Sequence, residues 1–239
     1  KRQNLLFSAT FSERVERMSN EFLDFPLKIE VTPQATVARQ VIQSRIDVPN
    51  FRTKITLLSH LLSDSSMSRV LVFSRTREAA ENIGKYLDRS GLGPVRTLHA
   101  NKGQNSRINA IREFASGAIR ILVATDVAAR GIDIEKVTHV VNFDVPVVYD
   151  DYVHRTGRTG RAAHSGESVT FVSPADSYHM EKIEALIREK VKKQPLPPAV
   201  TVEETPFAES QEMAREIDRQ KRREDPDYQG AFHERKRKG

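Results

Sequence analysis

The sequence predicts an α/β fold, a parallel sheet flanked by helices, and three observations predict it. Short β-rich runs alternate with segments of helical period from Val70 to Ile187. The helical segments carry start and stop residues. Hydrophobic residues make up 38% of 239, enough to bury a real core. The runs that read as strands are 70–73, 95–98, 119–123, 137–141 and 168–172, each bounded by turn or polar residues. Between them Ala79, Ile83 and Leu87 recur at helical spacing, as do Ile108, Ile111 and Ala115, and then Met180, Ile183 and Ile187. Gly91 and Gly117 act as stop signals. Ser173-Pro174-Ala175-Asp176 reads as a helix start: a cap, a proline at the first helical position and an acid three residues on. Strands alternating with helices require right-handed crossovers, which place the ligand edge at the carboxyl ends of the strands.

Composition narrows the function classes. Lys and Arg number 38 against 32 Asp and Glu, and the resulting net charge of +6 suits a polyanionic partner. The chain has no cysteine, so a disulfide framework and a thiolate metal site are both excluded. No apolar run reaches the length of a membrane span, and Lys1 to Phe7 lack the apolar stretch of a secretion signal; a soluble, cytoplasmic protein with no membrane role is expected. Composition shifts near Lys190. Pro195, Pro197 and Pro198 are followed by a charged run that ends in Arg235-Lys236-Arg237-Lys238, so residues 191–239 read as a disordered basic tail with at most a fraying helix around Glu209 to Arg223.

Two clusters stand at predicted strand ends. Ala124-Thr125-Asp126-Val127-Ala128-Ala129-Arg130-Gly131-Ile132-Asp133 brings a hydroxyl, two carboxylates, an arginine and a glycine to one loop. Thr125 and Asp126 could simply cap the next turn there, with Arg130 solvated. The second cluster, Tyr152 to Arg161, sets Arg155, Arg158 and Arg161 at three-residue steps separated by glycines. Guanidiniums so close repel one another unless an anion lies between them, and arginine presents a planar fork to phosphate oxygens. On the residues alone, the phosphate can belong to a nucleotide or to a nucleic-acid backbone.

Ser8-Ala9-Thr10, the Thr125 to Asp133 stretch and His154-Arg155-Thr156-Gly157-Arg158-Thr159-Gly160-Arg161 resemble motifs III, V and VI of the DEAD-box RNA helicases, in the family's order. Val70-Leu71-Val72-Phe73-Ser74-Arg75-Thr76 is similar to motif IV, and Gln104-Asn105-Ser106-Arg107 to the Q-x-x-R element. The Asn101-Lys102 step and the basic tail are similar to the bacterial RhlE-like group. The resemblance implies that residues 1–40 are the end of a first RecA-like lobe and an interlobe linker, 41–190 the RecA-like C-terminal helicase lobe, and 191–239 the tail. It also implies an ATP-dependent RNA helicase that couples ATP binding and hydrolysis to RNA binding and local duplex unwinding.

A phosphate loop of the form G-x-x-x-x-G-K-[ST] and an Asp-Glu-Ala-Asp box do not occur, since the Gly84-Lys85 pair is followed by Tyr86 inside a predicted helix. The expectation is therefore a chain that lacks the N-terminal lobe and is inactive alone. By the resemblance, Arg158 and Arg161 are catalytic fingers on the γ-phosphate. Asp133 accepts from the ribose hydroxyl, Gly131 admits the nucleotide, and His154 and Arg155 couple to the first lobe with Ser8 and Thr10. Thr125, Gln104, Arg107, Arg75 and Thr76 meet RNA backbone phosphates, which position a strand without reading bases. Phe73 closes an apolar strand and is expected in the core. His99-Ala100 departs from the family's usual glycine after the histidine. The implied cofactor is ATP with Mg2+, the magnesium held mainly by the first lobe; the implied partners are RNA and that lobe. Two other readings stay open: a passive RNA-binding module, and a lobe of a DNA-acting superfamily 2 helicase.

Overall fold

The computed structural model of the chain describes residues 3–7, 13–29, 41–130, 137–160, 165–225 and 227–230. In chain order these form α1 (Glu13–Phe22), β1 (Val41–Asp47), α2 (Phe51–Leu62), β2 (Val70–Phe73), α3 (Arg77–Arg89), β3 (Val95–Leu98), α4 (Gln104–Ser116), β4 (Ile121–Ala124) and the short α5 (Asp126–Ala129). Then follow β5 (His139–Asn142), α6 (Tyr149–Thr156), β6 (Gly166–Val172), a 3-10 turn (Pro174–Asp176), α7 (Ser177–Ile187), β7 (Lys192–Gln194) and α8 (Phe207–Glu224). The strands form one sheet in the order β3-β4-β2-β5-β6-β1-β7, and every pairing is parallel.

The central strands are apolar at successive positions because both faces of the sheet are covered. Val70, Val72, Ile121 and Val123 point into the layer that α2 and α3 fill with Leu57, Leu58, Leu62, Ile83 and Leu87. The alternate residues Leu71, Phe73, Leu122 and Ala124 pack against Ala110 and Phe114 of α4. Phe73 is 2% exposed, as expected of a core residue. Tyr152, Met180 and Ile183 bring α6 and α7 together in a third apolar cluster. Gly91 and Gly117 follow α3 and α4 with φ of +66° and +82°, the left-handed stops their positions predict.

The structure corrects the sequence reading at several elements. Among the described residues β1 and β7 raise the strand number from five to seven; β1 was hidden because Gln43, Ser44, Arg45 and Asp47 interrupt its apolar residues, and Ile42 is 63% exposed. α2 is a further helix beyond those expected from the sequence, and Asn50 caps it by accepting from the Thr53 N–H at 2.8 Å. On α4 the buried residues are Ala110 and Phe114, whereas the expected Ile108 is 42% exposed. At the last start signal, the Ser173 hydroxyl does not cap the backbone; it donates to the Asp176 carboxylate at 2.6 Å.

The largest correction concerns residues 191–225, which are ordered and packed rather than a disordered tail. β7 pairs with β1 through Lys192, Lys193 and Gln194. Val200 lies in the core beside α2. α8 is held across the sheet edge by the Phe51 N–H donating to Glu209 Oε1 at 2.7 Å and by Gln220 Nε2 donating to the Ala175 carbonyl at 2.9 Å. Composition missed this because a few apolar and amide contacts, not a hydrophobic face, dock the helix. Residues 231–239, with the terminal basic run, lie outside the described residues.

Candidate functional site

The carboxyl ends of β2, β4 and β5 are bound together by one buried arginine. Arg155, 1% exposed near the end of α6, donates from Nε to Asp126 Oδ1 at 2.6 Å and from Nη2 to Asp126 Oδ2 at 2.7 Å. Its Nη1 donates to the Asp144 carbonyl at 2.6 Å, and its guanidinium lies 5.1 Å from the Phe73 ring centroid. A guanidinium is tolerated at this depth because a two-pronged carboxylate pairing, a carbonyl and a ring face replace its water. Arg155, expected to couple to the first lobe, has its side chain sealed inside this lobe, where it joins the loop after β4 to α6.

Around that joint lies a shallow cleft bordered by Asp126, Ala129, Arg130, Asp151, His154 and Arg158. Arg130 Nη2 donates to both Asp151 oxygens, at 2.7 and 2.8 Å, and His154 Nδ1 stands 3.7 Å from Asp151 Oδ1. Burial pushes the Asp151 carboxyl up, but His154 and Arg130 outweigh it and hold the group below its ordinary value, so it stays an anion that orients them. Arg158 sits in the turn after α6, its N–H donating to the Arg155 carbonyl at 3.0 Å. The far side of that turn is anchored by Thr159, whose hydroxyl donates to the Val137 carbonyl at 2.6 Å. A Cβ on Gly166 would fall 2.1 Å from Thr159 Oγ1 and 2.5 Å from the Gly160 nitrogen, so only glycine lets β6 approach the turn. Arg158 on this anchored turn and Arg130 across the cleft, the latter paired with Asp151, are suited to an oxyanion brought there.

The other predicted positions lie along β3, β4 and β2. Thr125 occupies the cap position of α5 at 6% exposure, with no side-chain cap bond. Thr76 caps α3 by accepting from the Ala79 N–H at 3.0 Å. Gln104 opens α4 and accepts from Arg107 Nη1 at 3.4 Å, while Arg107 Nε is buried without a partner among the described residues. Arg75 is committed within the lobe: Nη2 pairs with Asp176 and donates to the Val145 carbonyl at 2.8 Å. Ser8, Thr10, Gly131, Asp133 and Arg161 lie outside the described residues.

Several partners were not foreseen. Asp126 meets Arg155 from 29 residues away and Asp151 meets Arg130 from 21, and no local pattern marks such pairs. Asp151 does stand three residues before His154, a helical spacing that could have signalled it. Beyond β3, Glu81 Oε1 receives Lys102 Nζ and His99 Nε2, each at 2.6 Å, and the Thr97 hydroxyl at 3.1 Å. Lys102 first, then His99, pull the Glu81 carboxyl down to about 2 against a smaller effect of burial.

Comparison with known proteins gives this geometry its class. Residues 53–163 match the helicase conserved C-terminal domain. Over 70% of this chain and 97% of the other, the fold superposes with a TM-score of 0.63 and 34% identity on the E. coli DEAD-box protein SrmB, solved bound to regulator of ribonuclease activity A. S. cerevisiae Dbp5 bound to RNA and ADP BeF3 matches 80% of this chain and 50% of that one, with a TM-score of 0.72 and 28% identity. The sequence is 42% identical over 185 residues to the ATP-dependent RNA helicase RhlB of Hamiltonella defensa, covering 77% of this chain and 43% of the relative. The described lobe is therefore the RecA-like C-terminal lobe of a helicase. The chain belongs to the DEAD-box family, and it spans less than half the length of that curated relative.

Proposed function

We propose that this chain is the second lobe of a cytoplasmic ATP-dependent RNA helicase, in which ATP and RNA jointly close two RecA-like lobes and strain local duplex apart. The observation that carries the reading is the Arg155–Asp126 joint, which fixes the base of the turn bearing Arg158 to the loop bearing Thr125. Movement of one element is thereby felt by the other, as coupling of hydrolysis to a bound strand requires.

ATP with Mg2+, when bound, supplies the phosphoanhydride bond whose hydrolysis drives the cycle. Arg158 and Arg161 would stabilise charge developing on the transferred phosphoryl group, and Asp133 with Gly131 would hold the ribose side. A cation set in place before charge develops needs little reorganisation, and the turn that bears Arg158 is anchored by the Arg155 carbonyl on one side and by the Thr159 hydroxyl on the other. Ser8 and Thr10 would meet His154 across the lobes. Magnesium belongs mainly to the companion lobe, which carries the phosphate loop in this reading; the chain alone is inactive. Thr125, Gln104, Arg107 and Thr76 form a hydroxyl- and cation-bearing edge over adjacent strands, suited to backbone phosphates. The Asn101-Lys102 step favours the RhlE-like subgroup.

With this chain joined to a companion lobe, Arg158→Ala should lower hydrolysis by about 10³-fold while leaving nucleotide-free RNA affinity unchanged. Arg107→Ala should weaken that affinity and raise the RNA concentration needed for stimulation, with basal turnover intact. Loss of RNA binding with retained turnover in Arg158→Ala would assign the cleft to nucleic acid instead.

A further inference from the structure

α8 crosses the lobe beside the Arg75–Thr76 corner, and the face it presents there is acidic. Glu209, Glu212 and Glu216 recur at steps of three and four residues, so they share one side of the helix. That side forms one wall of a groove whose other wall is Arg75, Thr76 and Ala79. On the groove floor the charges cancel. Lys54 Nζ lies 2.9 Å from Asp144 and 3.4 Å from Asp176, and Asp176 also holds Arg75. On the α8 wall they do not: Arg219, bonded to Glu216 at 3.0 Å, offsets one carboxylate, and Glu212 is exposed. The wall is held in place by Glu209 on the Phe51 N–H and by Gln220, 4% exposed, on the Ala175 carbonyl. A cation and a helix start suited to phosphate therefore face a fixed negative stripe, and the cation is already engaged.

We propose that α8 is a built-in competitor for the nucleic-acid backbone at this corner: its carboxylates oppose phosphate beside Thr76 while Asp176 retains Arg75, which lowers the RNA affinity of the lobe. The inference rests on the reading that this edge carries RNA. Like-charge opposition across a solvent groove is screened over about 10 Å at 0.1 M salt, so its effect belongs to low ionic strength.

The test is fluorescence anisotropy of a labelled single-stranded oligoribonucleotide with the 239-residue chain. Glu212→Gln with Glu216→Gln keeps side-chain shape and should tighten binding about threefold at about 50 mM salt, with the gain vanishing near about 0.5 M. Asp88→Asn with Glu189→Gln removes equal charge at the opposite edge of the sheet, where α3 and α7 end, and should tighten binding far less. Arg107→Ala should weaken binding. If Arg107→Ala weakens it but the α8 pair does nothing, or does no more than the opposite-edge pair, the competitor role is overturned and the RNA edge stands. If Arg107→Ala has no effect, the RNA edge itself fails and the inference falls with it.

Discussion

Glu81 gathers Lys102, His99 and Thr97 on one oxygen, and its carboxyl lies at about 2 instead of the ordinary 4.5. A carboxyl lowered on folding contributes stability that is full above its unfolded value and is lost as pH falls through the folded one. For Glu81 that window runs from 4.5 down to about 2. Urea midpoints measured through this range should fall less steeply for Glu81→Gln than for the parent chain; parallel curves would show that the carboxylate contributes nothing there. Residues of this kind were illegible in the sequence, because Glu81 and His99 are 18 positions apart and meet only once α3 packs on β3. Arg158 was singled out for the opposite reason, since repulsion among closely spaced arginines is a local property of the sequence. Arg155 carried the same local signal and a different fate: Asp126 supplies its anion from within the chain.

At the scale of elements, α8 depends on a histidine. His179 Nε2 lies 3.3 Å from Gln220 Nε2, which is a donor, so the ring accepts there, and its Nδ1 is 3.2 Å from the Tyr149 hydroxyl. Burial pushes the His179 pKa below 6.5, assisted by Arg75 and Arg223 and opposed by Asp176 and Glu216. The undocked state therefore takes up a proton first as pH falls, and docking is complete above 6.5 and weakens below it. Hydrogen exchange corrected for intrinsic rates should show α8 losing more protection than the central strands between about pH 7.5 and about pH 5.5. Equal losses in both would contradict the dependence. Strands and helices with a continuous apolar signal were legible, as β2, β4 and α3 show. β1 was not, because polar residues interrupt its apolar ones, and of α8 only a fraying helix from Glu209 to Arg223 was expected, because the contacts that order it come from partners distant along the chain, as with the Phe51 N–H donating to Glu209 Oε1 at 2.7 Å.

For the whole molecule, the parallel order β3-β4-β2-β5-β6-β1-β7 brings the ends of β2, β4 and β5 to one edge, so segments far apart in sequence meet in one site. That edge was predictable from strand and helix alternation alone, and the structure adds which residues stand together there: Arg130, Asp151, His154 and Arg158 around one cleft, Gln104 and Arg107 at the start of α4, and Thr76 at the start of α3. In the proposed reading the lobe is half of a two-part catalyst, with cations and coupling on this side and the grip on ATP and magnesium on the other. The most direct test is hydrolysis of ATP by this chain mixed with a separately prepared first lobe from a DEAD-box relative, with single-stranded RNA or DNA added. Neither part should hydrolyse ATP alone, and the mixture should turn over with marked stimulation by RNA and little by DNA. Steady hydrolysis by this chain alone, or equal stimulation by DNA, would contradict the account.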